Sequence, residues 1–180
     1  MVDLSNYNND WYQPGSAFKR TSWYYINILF IKNSLLPFSG LKVFLLRLYG
    51  AKIGKGVMIK PSVNIKYPWF LTIGDHCWIG EKAWIDNLGP VTIGAHSCLS
   101  QGALLLSGNH DFSKEGFDLM IEPIVLEEGV WIGAQAVVCG GATCKSHAVL
   151  TAGSVASGEL NAFSIYRGNP AEFVKLRVMK

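Results

Sequence analysis

A chain of 180 residues with 49% hydrophobic and 16% charged residues and a net charge of +3 fits one globular domain with decorations and excludes a disordered, self-repelling chain. The basic excess is too small and too scattered for a nucleic-acid binder, so no nucleic-acid partner is expected. Four cysteines without a CxxC pair, and no cleavable signal sequence, predict free thiols in a cytoplasmic protein rather than a disulfide scaffold.

Charge is concentrated at the start. Residues 1–66 carry nine Lys/Arg, from Lys19 to Lys66, against Asp3 and Asp10, a net of +7; the remainder nets −4. The same region is aromatic, with Trp11, Tyr12, Phe18, Trp23, Tyr24, Tyr25 and Phe30. Residues 23–36 and 41–48 read as two short helices separated by Pro37-Phe38-Ser39-Gly40. Lys32, Lys42 and Arg47 leave either helix far short of the roughly 20 apolar residues that cross a bilayer. Residues 1–52 are therefore an extension with two open readings: a cap on the domain that follows, or a basic, aromatic foot making peripheral contact with an anionic membrane.

From Ile53 onward a six-residue rhythm takes over. Aliphatic residues recur at Ile53, Ile59 and Ile65, at Ile73, Ile79 and Ile85, and at Ile93, Leu99 and Leu105. After a gap they return at Leu126, Ile132, Val138, Cys144, Leu150 and Ala156, and the residue four places on is usually small, as at Cys77, Ala83, Ala103, Ala136 and Ala148. A period of six fits neither a helix nor a plain strand, and marks a stacked repeat. Each hexapeptide is one short strand and a turn; three make a triangular coil, and coils stack at about 4.8 Å. The phase gives about five coils over residues 53–157, an all-β, parallel β-helix, starting at Ile53, Ile73, Ile93, Leu126 and Cys144. Eight-residue steps after Ile65 and Ile85 are bulged corners, and Gly54, Gly74, Gly80, Gly94 and Gly133 suit tight turns. Residues 106–125 are one extruded loop, opening with Asn109-His110-Asp111; loops of that length in a compact repeat are usually functional or disordered. Residues 158–180 leave the rhythm, with a turn at Gly168-Asn169-Pro170-Ala171 and a short C-terminal helix over residues 172–179. Few charges on flat β-helix faces suggest burial against other subunits.

The hexapeptides, the Asn109-His110-Asp111 loop, Val130-Trp131-Ile132-Gly133 and the Gly168-Asn169-Pro170-Ala171 terminus resemble the hexapeptide-repeat acyltransferases. Within them the chain is similar to the colanic-acid biosynthesis acetyltransferases, near the galactoside and maltose O-acetyltransferases. The resemblance implies a left-handed helix, a homotrimer with sites between neighbouring subunits, acetyl-CoA as donor and no metal. It also implies a saccharide hydroxyl as acceptor, free, lipid-linked or on a nucleotide sugar, in exopolysaccharide synthesis. His110 matches the family's catalytic histidine; Asp86, Asn87 and Trp131 are acceptor-side candidates; Ala134, Ala152 and Ser157 fall along the cofactor track. Where the family often has a basic residue after the Gly-x-Pro-x turn this chain has Glu172, so Arg167, Lys175 or Arg177 would have to meet the phosphates.

The chemistry suits one histidine. A neutral hydroxyl is a poor nucleophile, and an imidazole of ordinary pKa near 6.5 can take its proton at physiological pH and return it to the departing thiolate. A thioester is already activated, so no Ser or Cys nucleophile is needed. A backbone carbonyl or a loop carboxylate such as Glu115 would hold the other ring nitrogen. Two alternatives remain: a β-helical scaffold without activity, and a γ-type carbonic anhydrase. The second finds its histidines only as a phase-matched column, His76, His96 and His147, without the HxxxxH ligand pair.

Overall fold

In a computed structural model of the protein, residues 2–179 are described, and the six-residue rhythm becomes a three-faced parallel solenoid. The first face stacks Lys52–Ile53, Leu71–Ile73, Val91–Ile93, Ile124–Leu126, Thr143–Cys144 and Glu159–Leu160. The second stacks Met58–Ile59, Trp78–Ile79, Cys98–Leu99, Trp131–Ile132, Val149–Leu150 and Ser164–Arg167. The third stacks Asn64–Ile65, Trp84–Asp86, Leu104–Leu106, Val137–Cys139 and Val155–Ala156. Register follows the sequence phase: Ile53 pairs with Ile73, Ile73 with Ile93, Ile93 with Leu126 and Leu126 with Cys144. These inward columns are buried, and the small residues that follow them are buried too, because the corners of a triangular core have room for little else.

Three expectations need revision. The solenoid does not stop at Ala156: Leu160 and Tyr166 open a sixth turn, pairing with Cys144 and Leu150. Residues 172–179 hold no helix; Glu172–Leu176 is a strand lying antiparallel to Ser164–Arg167, where it covers the last open edge of the second face. The glycines after the inward aliphatics serve a purpose other than the turn itself. A Cβ on Gly54 would sit 2.7 Å from the Asp75 backbone nitrogen, and one on Gly80 2.7 Å from the Ser100 carbonyl carbon, so these glycines admit the backbone of the next coil.

The basic, aromatic N-terminus caps the first coil. Helix α1, Ala17–Ile26, starts on Ser16, whose hydroxyl accepts from the Lys19 N–H, and runs on through a π turn at Asn27–Ile31; α2 spans Ser39–Leu48. The first coil has no strand above it, so its carbonyls need other donors. Trp23 Nε1 donates to Ile65 O, Ser39 Oγ to Ile59 O, Lys42 Nζ to Lys60 O, and Arg47 to Ile53 O and Gly54 O. Ser39 Oγ also accepts from the Ile59 N–H at 3.0 Å. Lys42 is 1% exposed, and burial pushes its ammonium below the usual lysine range. Its position on the cap, donating to Lys60 O, explains a buried cation in this helix.

Candidate active site

The long excursion from the third coil is an antiparallel hairpin, Gly108–His110 against Leu119–Ile121, with Asp111, Ser113 and Lys114 shaping its tip. Side chains alternate along a strand, so the hairpin is a partition. His110 and Leu119 face a cavity of about 290 Å³ with Tyr7, Tyr12, Arg20, Lys66 and Leu88. Asn109 and Met120 face another of about 420 Å³ on the far side, which also holds Ser157. The N-terminal segment is tied onto the hairpin by Asp3 N–H to Glu115 O at 3.0 Å, so it forms the outer wall of the His110 cavity.

His110 is held in one orientation. Its Nδ1 lies 2.9 Å from the Phe117 carbonyl oxygen, and a carbonyl can only accept, so Nδ1 carries the proton and Nε2 keeps its lone pair. The ring stacks on Phe117 at 4.4 Å with 8° between the planes, and Tyr7 closes in from another side at 5.7 Å. Phe117 itself has φ +52°, a conformation that turns its carbonyl back toward the imidazole. A backbone carbonyl, not Glu115, therefore fixes the ring. Asn109 and Asp111 do other work: Asn109 Oδ1 accepts from the His110 N–H, and the Ser113 hydroxyl and N–H hold the Asp111 carboxyl below its usual range while closing the turn.

The acceptor-side candidates divide. Asn87 is fully buried, its Oδ1 accepting from the Tyr67 N–H at 3.0 Å and its Nδ2 donating to Tyr67 O at 2.6 Å. Both ends of its amide are occupied, so Asn87 shapes the corner and does not reach an acceptor. Asp86 lies 3.8 Å from Lys66 Nζ and keeps a buried carboxylate oxygen without a hydrogen-bond partner among the described residues. Beside it, burial, with Tyr67 and the Asp86 carboxylate contributing, pushes the Tyr12 phenol above its usual range; it stays protonated and donates to Leu88 O. Trp131 is outside this cavity: it stands on the outer side of the second face, its Nε1 donating to Ser100 Oγ at 2.9 Å.

The cofactor-side candidates are not gathered around His110 in one chain. Ala134 and Ala152 sit one above the other at the corner between the second and third faces, where Gly153 N–H donates to Ala134 O. Ser157 lies past the other end of the third-face strand Val155–Ala156 and lines the cavity on the Asn109 side of the hairpin. Arg167 and Lys175 are both exposed, and Arg167 is in register with Glu172 across the terminal strand pair. Arg177 is spoken for, donating to Gly129 O and His147 O. His76 and His96 stack at 5.4 Å, Gly129 occupies the same position in the fourth coil, and His147 packs on Phe163 at 4.7 Å, so the histidine column is a ladder of turns with no convergence on a point.

Sequence reasoning missed Tyr7, Tyr12, Arg20, Lys66 and Phe117. Only the aromatic and basic character of the first 66 residues pointed toward them; that this segment folds back onto a hairpin a hundred residues later has no local signature.

No family model matches the chain. The parallel solenoid is the fold of solved hexapeptide-repeat-containing acetyltransferases. A hexapeptide-repeat-containing acetyltransferase from Vibrio cholerae, solved in complex with acetyl coenzyme A, superposes with a TM-score of 0.82 over 93% of each chain at 23% identity. A maltose O-acetyltransferase from Clostridium difficile superposes with a TM-score of 0.78 over 99% of each chain at 18% identity. Among curated proteins, "Putative colanic acid biosynthesis acetyltransferase WcaF" of Escherichia coli is 39% identical over 179 residues, 99% of this chain and 98% of that protein. The galactoside O-acetyltransferase of the same organism is 25% identical over 69% of this chain and 63% of its own. The chain belongs to the acetyltransferase family of that colanic acid protein, and its solenoid is the left-handed β-helix of the hexapeptide-repeat enzymes.

Proposed function

We propose that the protein transfers an acetyl group from acetyl-CoA to a saccharide hydroxyl during synthesis of a colanic-acid-like exopolysaccharide, with His110 as general base. The observation that carries this is the Phe117 carbonyl at His110 Nδ1, which leaves Nε2 as the acceptor facing the cavity. The acceptor hydroxyl enters beside Tyr7 and Tyr12 and gives its proton to Nε2 as its oxygen attacks the thioester carbonyl. The imidazolium then returns that proton to the leaving thiolate. Neither a metal nor a covalent enzyme intermediate is required, because the thioester supplies the activation and the ring supplies both proton steps. Asp86 holds Lys66, a wall of the same cavity, from behind at 3.8 Å.

The donor belongs along the corner of Ala134 and Ala152, whose small side chains expose backbone to a long, flat ligand, with Arg167 or Lys175 toward the phosphates. That corner and His110 lie at different edges of one chain, so the site is complete only when a second copy supplies it. The outer columns of two faces support such an assembly. Trp78, Cys98 and Trp131 line the second and Trp84, Leu104, Val137 and Val155, with Asn64, the third, while the first carries Lys52, Thr72, Thr92, Thr143 and Glu159, with Val125. Two apolar faces and one polar face on a triangular prism fit a closed three-fold ring, a homotrimer.

No helix among the described residues is long and apolar enough to cross a membrane. The cap nevertheless exposes Phe18, Leu29, Leu35, Phe38, Phe44 and Leu48, in a segment with no acidic residue between Asp10 and Asp75. In a three-fold assembly of parallel β-helices the caps share one end. We infer that this end rests on the anionic cytoplasmic surface of a membrane. Vesicle flotation tests it: binding to anionic vesicles weakens in Leu35→Glu/Phe38→Glu protein, and equal flotation of both proteins would remove the membrane from the account.

Acceptor-dependent release of thiol from acetyl-CoA, over exopolysaccharide oligosaccharides and nucleotide sugars, tests the reaction. Turnover is expected with at least one saccharide; acetyl-CoA binding without turnover on any would reject it, and failure to bind acetyl-CoA would favour a scaffold.

A further inference from the structure

Beside the His110 cavity lies a larger one, of about 590 Å³, between α1, the π turn and the first two coils of the third face. The two share Arg20, Lys66 and Tyr67 as common walls, so groups bound in them would be neighbours. The smaller cavity alone is at the lower limit for a ligand site, and the pair is well within it.

Three properties of the larger cavity define what would fill it. It is cationic: Arg20, Lys32 and Lys66 line it, and no Asp or Glu does. Asp86 stands near Lys66 at 3.8 Å, while Arg20 and Lys32 make no ion pair among the described residues. It is aromatic, with the exposed rings of Tyr24 and Tyr25 presenting flat apolar faces beside polar edges. Such faces cover the C–H side of a pyranose. It also holds an unmet hydrogen-bond acceptor. Asn27 is 8% exposed, its Nδ2 donates to Asn64 Oδ1 at 2.7 Å, and its Oδ1 is buried without a partner among the described residues. An orphan of this kind is unfavourable unless something donates to it, and a sugar hydroxyl is such a donor.

We propose that this cavity is a second saccharide subsite, taking an acceptor residue that carries an oxyanion, as a carboxylate or a phosphate, next to the residue acetylated at His110. The inference rests on the acetyl-transfer reading for its second clause only. Rings and Asn27 bind the pyranose, while Arg20, Lys32 and Lys66 bind the anion through charge-assisted hydrogen bonds. The natural acceptor is then an acidic oligosaccharide or glycosyl phosphate, and a neutral monosaccharide is a poor one.

The test is calorimetric titration, without acetyl-CoA, of three matched oligosaccharides: one neutral, one with a uronate and one with a glycosyl phosphate. Wild-type protein is expected to bind one acidic ligand at least 10-fold more tightly than the neutral one, the preference shrinking as salt rises. Which acidic ligand wins identifies the source of the oxyanion. Lys32→Glu is expected to abolish the preference, and Tyr24→Ala to weaken all three ligands. Equal affinity for all three ligands would overturn the subsite, and so would a preference that survives Lys32→Glu. A Lys32→Glu effect on acetyl-CoA affinity instead would make the cavity a donor site, and a change of oligomeric state in these variants would make it a subunit interface. Tight, Lys32-dependent binding without acetyl transfer to that ligand would keep the subsite and reject the transfer reading. Transfer without any charge preference would do the reverse.

Discussion

Replacing Phe117 by glycine separates the two ways in which that residue holds His110. The carbonyl at 2.9 Å is backbone and survives the change, and φ +52° is unstrained for glycine. What disappears is the ring stacked at 4.4 Å and 8°. A stack of this kind is worth about 0.5–1.5 kcal/mol beyond its area, so loss of orientation should lower kcat/KM by roughly 2- to 13-fold. Phe117→Ala loses the same stack but keeps a strained left-handed residue, whose relaxation would swing the carbonyl away; its loss should be larger. Nitrogen NMR of the imidazole supplies a readout independent of acceptor. Wild type and Phe117→Gly should both show the Nδ1–H tautomer, with the glycine variant broadened by ring motion. An Nε2–H tautomer in the wild type would refute the reasoning, as would a Phe117→Gly protein with unaltered kcat/KM.

Other consequences follow from the cap, the corner and the core. Ser39→Ala leaves both the N–H and the carbonyl of fully buried Ile59 without the hydroxyl, a cost of about 2–4 kcal/mol. The thermal midpoint should fall by on the order of 10 °C, and a change under about 2 °C would show that water replaces the hydroxyl. Asn87→Ala should lower the midpoint comparably while the acceptor KM stays within about twofold; a large KM effect without destabilisation would restore Asn87 as an acceptor ligand. Burial pushes the Cys144 thiol from its ordinary 9.0 up to about 12. The folded chain therefore keeps a proton that the unfolded chain gives up, and stability present below about pH 9 is lost as pH rises toward 12. Cys144→Ala should flatten that decline in thermal midpoint, and an identical pH profile would contradict the burial argument.

The inward columns were legible in the sequence because a six-residue period leaves no other way to bury Ile53, Ile73 and Ile93 together; the pairing register followed from it without adjustment. His110 was legible as the residue placed where that period breaks. Its partner was not, since a backbone carbonyl has no sequence signature and Phe117 reads as an ordinary loop aromatic. Asn87 misled for a related reason: an Asp-Asn pair at a bulge fits both a ligand and a corner, and only its full burial against Tyr67 decides. The last strand was misread because Glu172–Leu176 is too short for its alternation to outweigh helix formers, and its pairing partner on the final coil settles its conformation. The cap was legible as one of two readings; its donors to the first-coil carbonyls show that it closes the solenoid, and its exposed outer rim leaves the membrane reading to experiment.

The most direct test of the central claim is the rate of acceptor-dependent CoA release by His110→Ala against wild type, on whichever saccharide wild type acetylates. Loss of a general base predicts a fall of about 10²-fold or more in kcat, with acetyl-CoA affinity and thermal midpoint near wild type. A folded His110→Ala protein that keeps its wild-type rate would mean that the lone pair left free by Phe117 takes no proton in the reaction.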